Sequence, residues 1–144
     1  MQTFLPYPDF YLSARVLDRQ RLGNQRREAI TLLHGGWSNH PASEMWVGYK
    51  YHLAVYCAVM CEEWIKRGYR DNTLEKIKKE IEEIPYSPMP PWMGDERLHS
   101  GHRAALLYKD PVWYGQFGWV EQPSMSYFWP SSQYNEDPVG ILHG

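Results

Sequence analysis

The sequence predicts an all-α protein: a single irregular helical domain with a long central helix, a proline-rich loop and an aromatic C-terminal segment. Three observations carry that prediction. Apolar residues recur at spacings of three and four in several stretches whose ends carry capping and stop residues. No stretch shows the apolar-polar alternation of a convincing strand. The 144 residues suffice for one sizeable core but not for two comfortable ones, so one domain is expected over 1–144.

The opening Met1-Gln2-Thr3-Phe4-Leu5-Pro6-Tyr7-Pro8 is too rich in proline for a helix, and Asp9 suits the cap of a short one that follows. Asp18 opens the next, with Leu22, Ala29, Ile30 and Leu33 at helical spacing and Gly35-Gly36 as its end. Pro41 fits the first turn of a central helix running to Arg67, built on Trp46, Tyr49, Leu53, Tyr56, Met60 and Trp64, with Gly48 as a possible split and Gly68 as the stop. Asn72 with Glu75 reads as a capping box for a helix along Leu74, Ile77, Ile81 and Ile84, ended by Pro85. Residues 85–94 form an ordered loop punctuated by Pro85, Pro88, Pro90 and Pro91. Asp95 caps a last helix to Lys109, stopped by Asp110-Pro111. The remaining residues, dense in Trp, Tyr, Gly and Pro, are expected to wrap over the helices, and the final ten to fray.

Net charge is −2 and the pI about 6.3, so the overall balance does not announce a nucleic-acid binder. The distribution is more informative. Residues 1–61 carry six Lys or Arg against four Asp or Glu, whereas residues 62–96 carry six against nine, and Arg15, Arg19, Arg21, Arg26 and Arg27 form the densest basic cluster. Such a cluster serves as a solvated helix face or as a phosphate-binding one. Aromatic residues make up 15% of the chain, with seven Trp and eleven Tyr, enough for both core packing and base stacking. No apolar run reaches the roughly 18 residues of a membrane span and no signal peptide is evident, so a cytoplasmic protein is expected. Cys57 and Cys61, four apart on one helix face, read as reduced core residues.

Along the second helix Arg21, Gln25 and Glu28 share one face, with Arg27 beside it. Arg26 instead falls on the inward stripe between Leu22 and Ile30, where a guanidinium requires a functional cleft or a buried acid partner. His99, His102 and Arg103 form a second polar group, suited to phosphate contact or to structural hydrogen bonds. No carboxylate or thiolate completes a metal set there, and neither metal nor cofactor is expected. His40, before Pro41, serves as a helix entry and by position suggests function. Phosphate loops, zinc-protease helices and serine-hydrolase elbows find no match.

Leu17-Asp18-Arg19-Gln20-Arg21-Leu22 followed by Gln25-Arg26-Arg27-Glu28 resembles the catalytic helix of the bacteriophage pyrimidine-dimer DNA glycosylases. Cys61-Glu62-Glu63-Trp64-Ile65-Lys66-Arg67-Gly68-Tyr69 is similar to the end of that family's central helix, and Pro111-Val112-Trp113-Tyr114-Gly115-Gln116-Phe117-Gly118 to its aromatic C-terminal segment. The Met1-to-Pro6 start, His40-Pro41 with Trp46 and Gly48-Tyr49, and Pro91-Trp92 with Gly94 resemble an uncharacterised bacterial branch of the family.

The resemblance implies a monomeric glycosylase with AP-lyase activity on double-stranded DNA bearing a pyrimidine dimer or another damaged or modified base. An N-terminal α-amine attacks the sugar C1′, a Schiff base forms, and Glu28 assists. An α-amine, with a reference pKa of about 7.7–8.0, keeps a useful unprotonated fraction near neutral pH. The phage enzymes expose a threonine amine, whereas Gln2 here is too large for ordinary methionine removal, which puts Met1 at the nucleophile position. The catalytic pair is then Met1 and Glu28. DNA contacts fall to Gln2, Arg21, Gln25, Arg26, Arg27, His40, His99, His102, Arg103, Lys109 and Trp113. Other readings remain open: water attack by a monofunctional glycosylase, Thr3 as a weaker nucleophile, a non-catalytic nucleic-acid-binding domain of the same fold, and a protein-interaction module using the aromatic C-terminal region.

Overall fold

The computed structural model of the chain describes residues 1–130. Seven α-helices and no strand occur among the described residues: α1 (Phe10–Val16), α2 (Arg19–Leu33), α3 (Pro41–Glu44), α4 (Lys50–Lys66), α5 (Leu74–Glu83), α6 (Glu96–Lys109) and α7 (Pro111–Tyr114), with a 3-10 turn at Gly115–Phe117. The all-α architecture is therefore as the sequence predicts. The final residues expected to fray lie outside the described residues.

Helix starts are set by side-chain caps where they were expected. Asp9 accepts from the Leu12 amide, Asp18 from Arg21 and Asp95 from Arg97, each satisfying an amide that the helix itself leaves open. The predicted run from Pro41 divides in two because Gly48 takes φ +86°, a left-handed conformation that breaks the helix between α3 and α4.

α4 is the central element and packs against α1, α2 and α5. From His52 to Cys61 every residue but Val55 is buried, so this helix is covered nearly all round, as a core helix must be. Cys57 and Cys61 are free and buried within it. α2 lies close to it because Gly23 has no side chain: a Cβ there would come within 3.1 Å of the Trp64 indole.

Two further ties fix α2. The Tyr114 hydroxyl accepts from the Asp18 amide at 3.0 Å and donates to the Asp18 carboxylate, joining α7 to the start of α2. At its other face Arg26 forms an ion pair with Asp71, whose carboxylate is 1% exposed, and its guanidinium lies 4.8 Å from the Trp64 ring centroid. Asp71 also accepts from the amides of Thr73 (3.1 Å) and Leu74 (2.7 Å). It therefore does the capping that the sequence pattern assigned to Asn72 and Glu75, while Thr73 sits at the cap position with no side-chain bond. Burial opposes the Asp71 carboxylate, but the Leu74 amide, Arg26 and the Thr73 amide outweigh it and hold its pKa below the usual carboxylate value.

Removing one partner of a buried pair leaves the other charge uncompensated. Asp71→Ala is expected to destabilise the fold by about 3–5 kcal/mol in urea unfolding, and Asp71→Asn, which keeps an acceptor for the α5 amides, by less. Equal losses from the two variants would contradict this dual role.

Candidate functional site

The site begins with an irregular segment that is nonetheless buried. Residues 2–6 are buried without belonging to a helix or strand, so their backbone groups need partners from side chains. Gln25 of α2 accepts from the Phe4 amide at 2.9 Å and donates to the Gln2 carbonyl at 2.8 Å. His102 Nδ1 accepts from the Leu5 amide at 2.8 Å. His99 Nε2 accepts from the Gly94 amide, which leaves the proton on Nδ1, and that nitrogen donates to the Leu5 carbonyl at 2.8 Å. Tyr56 of α4 lies 2.9 Å from the Phe4 carbonyl and 2.5 Å from Gln25 Oε1, Trp46 donates to the Thr3 hydroxyl at 3.1 Å, and Arg103 donates to the Pro6 carbonyl at 2.8 Å.

This anchoring delivers Met1 to a pocket of about 310 Å³ lined by Gln2, Arg21, Gln25, Glu28, Lys109 and Tyr127 among others. Gln25 Nε2 also donates to Glu28 at 2.9 Å. Burial raises the Glu28 pKa. The N-terminal ammonium, the Gln2 backbone, Gln25 and Arg27 oppose that shift without cancelling it. Glu28 is thus a carboxylate of increased basicity beside a terminal amine. Gln2 Nε2 is buried near Tyr127 and makes no hydrogen bond of normal geometry.

His40 belongs to the same neighbourhood. Burial, and after it the N-terminal ammonium, push its pKa down. Its Nδ1 accepts from the Ala42 amide at 3.0 Å, so the neutral ring carries its proton on Nε2.

The other predicted contacts are placed elsewhere. Arg27 is exposed, bonded to Asn24 at 2.7 Å, and lines a groove of about 320 Å³ on the adjoining face of α2 with Arg19, Gln20 and Trp64. Arg26 reaches that groove only from within its ion pair with Asp71, the buried acid that its inward position required. The histidines His99 and His102 are fully buried clamps on Leu5, so of the two uses open to them in sequence the structural hydrogen bonds fit their geometry and phosphate contact does not. Arg103 is likewise held by Glu96, Glu121 and the Pro6 carbonyl, its side chain 13% exposed. Trp113 donates to the Val16 carbonyl at 2.8 Å and keeps part of its ring at the surface.

Sequence reasoning did not single out Tyr127, Met125 or Asn24, which also line the pocket. Tyr127 and Met125 arrive on an extended tail whose path no periodicity records; Asn24 stands on the α2 face next to Gln25. A larger hollow of about 530 Å³ lies between the end of α2, the Gly48 turn and α5, crossed by a His34–Glu80 contact of 2.7 Å, and contains none of the N-terminal groups. Among the described residues no three His, Cys, Asp or Glu side chains converge as a metal site requires. No helix among them is long and apolar enough to cross a membrane.

A helical domain that buries its own N-terminal segment to bring a terminal amine beside a basic carboxylate defines a candidate amine-carboxylate active site. Residues 1–76, which contain Met1, Gln25 and Glu28, match the family model of the pyrimidine dimer DNA glycosylases, and the chain belongs to that family. Neither the curated proteins nor the solved structures contain a match.

The Leu5 clamp also has a pH signature. Burial, and then the neighbouring His99, lower the His102 pKa to about 3, and burial lowers that of His99 as well. Both rings are neutral when folded, whereas an unfolded histidine takes up a proton near pH 6.5. Their contribution is therefore complete above about pH 6.5 and lost as pH falls from there towards the folded values. The thermal midpoint followed by circular dichroism is expected to fall between pH 7 and pH 4. His102→Asn, which keeps an acceptor for the Leu5 amide but does not titrate, should show a shallower fall, and an unchanged slope would contradict the assignment.

Proposed function

We propose that the chain is a DNA glycosylase with AP-lyase activity that excises a damaged or modified base from double-stranded DNA through the α-amine of Met1. The observation that carries this reading is the shared pocket of Met1 and Glu28, in which burial makes the carboxylate more basic while the N-terminal ammonium lies close enough to act on its charge.

The roles follow from the chemistry. Glu28 accepts the proton that the α-ammonium must lose before its nitrogen lone pair can attack C1′. The C1′–N bond to the base breaks and the base leaves with that electron pair, taking up the proton that the newly substituted amine sheds. Opening of the C1′–O4′ bond gives the iminium, and Glu28 returns a proton to O4′. Once it has given that proton to O4′, the carboxylate is again charged and stabilises the iminium. Glu28, again a carboxylate, takes a C2′ proton, a C2′–C3′ double bond forms as the 3′ phosphate leaves with the C3′–O electron pair, and water hydrolyses the iminium to release the amine.

Arg21 and Lys109 stand at the pocket, with Arg27 and Arg19 along the adjoining groove, and these are the cations suited to the phosphates on either side of the target. Gln2, with a buried donor not engaged in a normal hydrogen bond, is suited to an oxygen or nitrogen of the substrate. His40, with its Nε2 proton, is a further donor near the amine.

Borohydride trapping of untagged protein on duplex DNA carrying an abasic site or ultraviolet dimers tests the nucleophile, with mass spectrometry fixing the N-terminus. A covalent adduct is expected, and it should vanish when the N-terminus is extended. An adduct that persists in the extended protein would reject the Met1 amine, while base release without any adduct would assign attack to water. Glu28→Gln should lower turnover by at least about 100-fold and keep DNA affinity. Because burial disfavours the native carboxylate, the same variant should melt no lower than the wild type.

A further inference from the structure

One strained residue stands out beside the site. Trp37 has φ +58°, the left-handed region that a bulky side chain rarely adopts, and among the described residues no other non-glycine has positive φ. Its indole is 57% exposed. Glycine would remove the strain, and Gly35 and Gly36 immediately precede it. The loop is well tied. Gly36 donates to the Thr31 carbonyl at 2.9 Å, His40 donates to the Trp37 carbonyl at 2.8 Å, and a Cβ on Gly36 would come within 2.5 Å of Thr31 Cγ2. A well-tied turn therefore holds a large aromatic ring out in solvent, at a cost in backbone energy and with more than half of its surface uncovered.

The ring's direction is given by its neighbours. Trp37 meets His40 edge to face at 6.1 Å, His40 meets Trp129 at 5.8 Å, and Trp129 meets Tyr127 at 5.4 Å. Tyr127 lines the Met1–Glu28 pocket. The four rings form a continuous wall, its inner end in the pocket and its outer end at Trp37.

We propose that Trp37 is a substrate-contacting residue that stacks on a nucleobase exposed when the duplex opens at the target, holding the DNA in its unstacked form beside the pocket. This inference rests on the base-excision reading above. Opening a duplex exposes a flat apolar face that water solvates poorly, and an indole presented on a well-tied loop covers it without first having to be ordered. A surface indole on a strained residue has little to contribute to the fold, and its exposed face is open to a base in the complex.

The test compares wild type, Trp37→Phe and Trp37→Gly on duplexes with an abasic site flanked by 2-aminopurine, on ultraviolet-irradiated duplex and on undamaged duplex. Trp37→Gly is expected to melt no lower than wild type, since the backbone strain is relieved. It should bind the abasic duplex more weakly by roughly 5- to 150-fold, the range of one base-aromatic stack, and leave affinity for undamaged duplex unchanged. Wild type should quench 2-aminopurine, Trp37→Phe should keep part of the affinity, and Trp37→Gly should leave the probe bright. Wild-type affinity and quenching in Trp37→Gly would overturn the stacking role while leaving base excision intact. A lowered melting temperature with parallel losses on all DNAs would assign Trp37 to the fold and also overturn it. A wild type that neither binds nor cleaves either damaged duplex would overturn both readings.

Discussion

Gln25 is the contact on which the arrangement of the site depends. One primary amide on α2 accepts from Phe4, lies against the Tyr56 hydroxyl, and donates to both Gln2 and Glu28. It joins the N-terminal segment, the helix that bears Glu28 and the central helix in a single buried network. Such networks are stable only when every member is satisfied, which makes them demanding about position. Residues 2–6 gain through it the backbone pairing that a strand would find in a sheet. The two histidines of α6 repeat the device on Leu5, so the segment is gripped at successive residues and its first residue has little freedom. An amine at the end of a chain is ordinarily the most mobile group in a protein; here the chain behind it is fixed to the core.

The charge pattern follows from the same division between scaffold and site. Most arginines that the sequence offered as DNA contacts are held by carboxylates: Arg21 by Asp18, Arg26 by Asp71 and Arg103 by Glu96 and Glu121. Arg103 and Arg26 are then structural, and their charge is largely neutralised at short range. Arg27 and Lys109 are exposed and have no ion pair among the described residues, and Arg19 rests over the Tyr69 ring. The pI of about 6.3 and a local cationic border around the pocket are therefore compatible. What matters to a polyanion is the field at the contact surface rather than the sum over the chain.

The helices were legible because their signals are local. Asp9, Asp18 and Asp95 cap where the sequence places caps, and Gly48 breaks the helix it interrupts. The α5 start was misread because Asp71 lies one residue before the expected capping pair, and its reason for being there is Arg26, forty-five positions away. Glu28, Gln25 and Arg21 could be grouped from helical spacing, but the presence of Met1 beside them could not, since residues 2–6 have no period and reach the site through side chains from three helices. His99 and His102 show the reverse case. Sequence left phosphate contact and structural hydrogen bonds open for them, because two histidines facing a backbone amide and carbonyl look in sequence like two facing a phosphate. Tyr127 and Trp37 were invisible for a different reason: one rides on an extended tail, and the other is unusual in its backbone angle rather than in its identity.

The features suited to chemistry share a physical property, in that each is held against its own preference. Glu28 is kept partly out of water where its charged form is disfavoured, His40 is kept neutral beside an ammonium, and Trp37 is kept in a left-handed backbone conformation. Parts of the scaffold do the opposite: Asp71 is stabilised as an anion and Trp64 packs where Gly23 makes room, whereas the Leu5 backbone is fully paired by two histidines that burial itself keeps neutral. Paired groups of this kind supply the stability against which the strained groups at the pocket are held. Neither the family match nor the helical spacing of α2 would have predicted strain at Trp37, which stands one ring contact from His40 and so adjoins the groups around Met1.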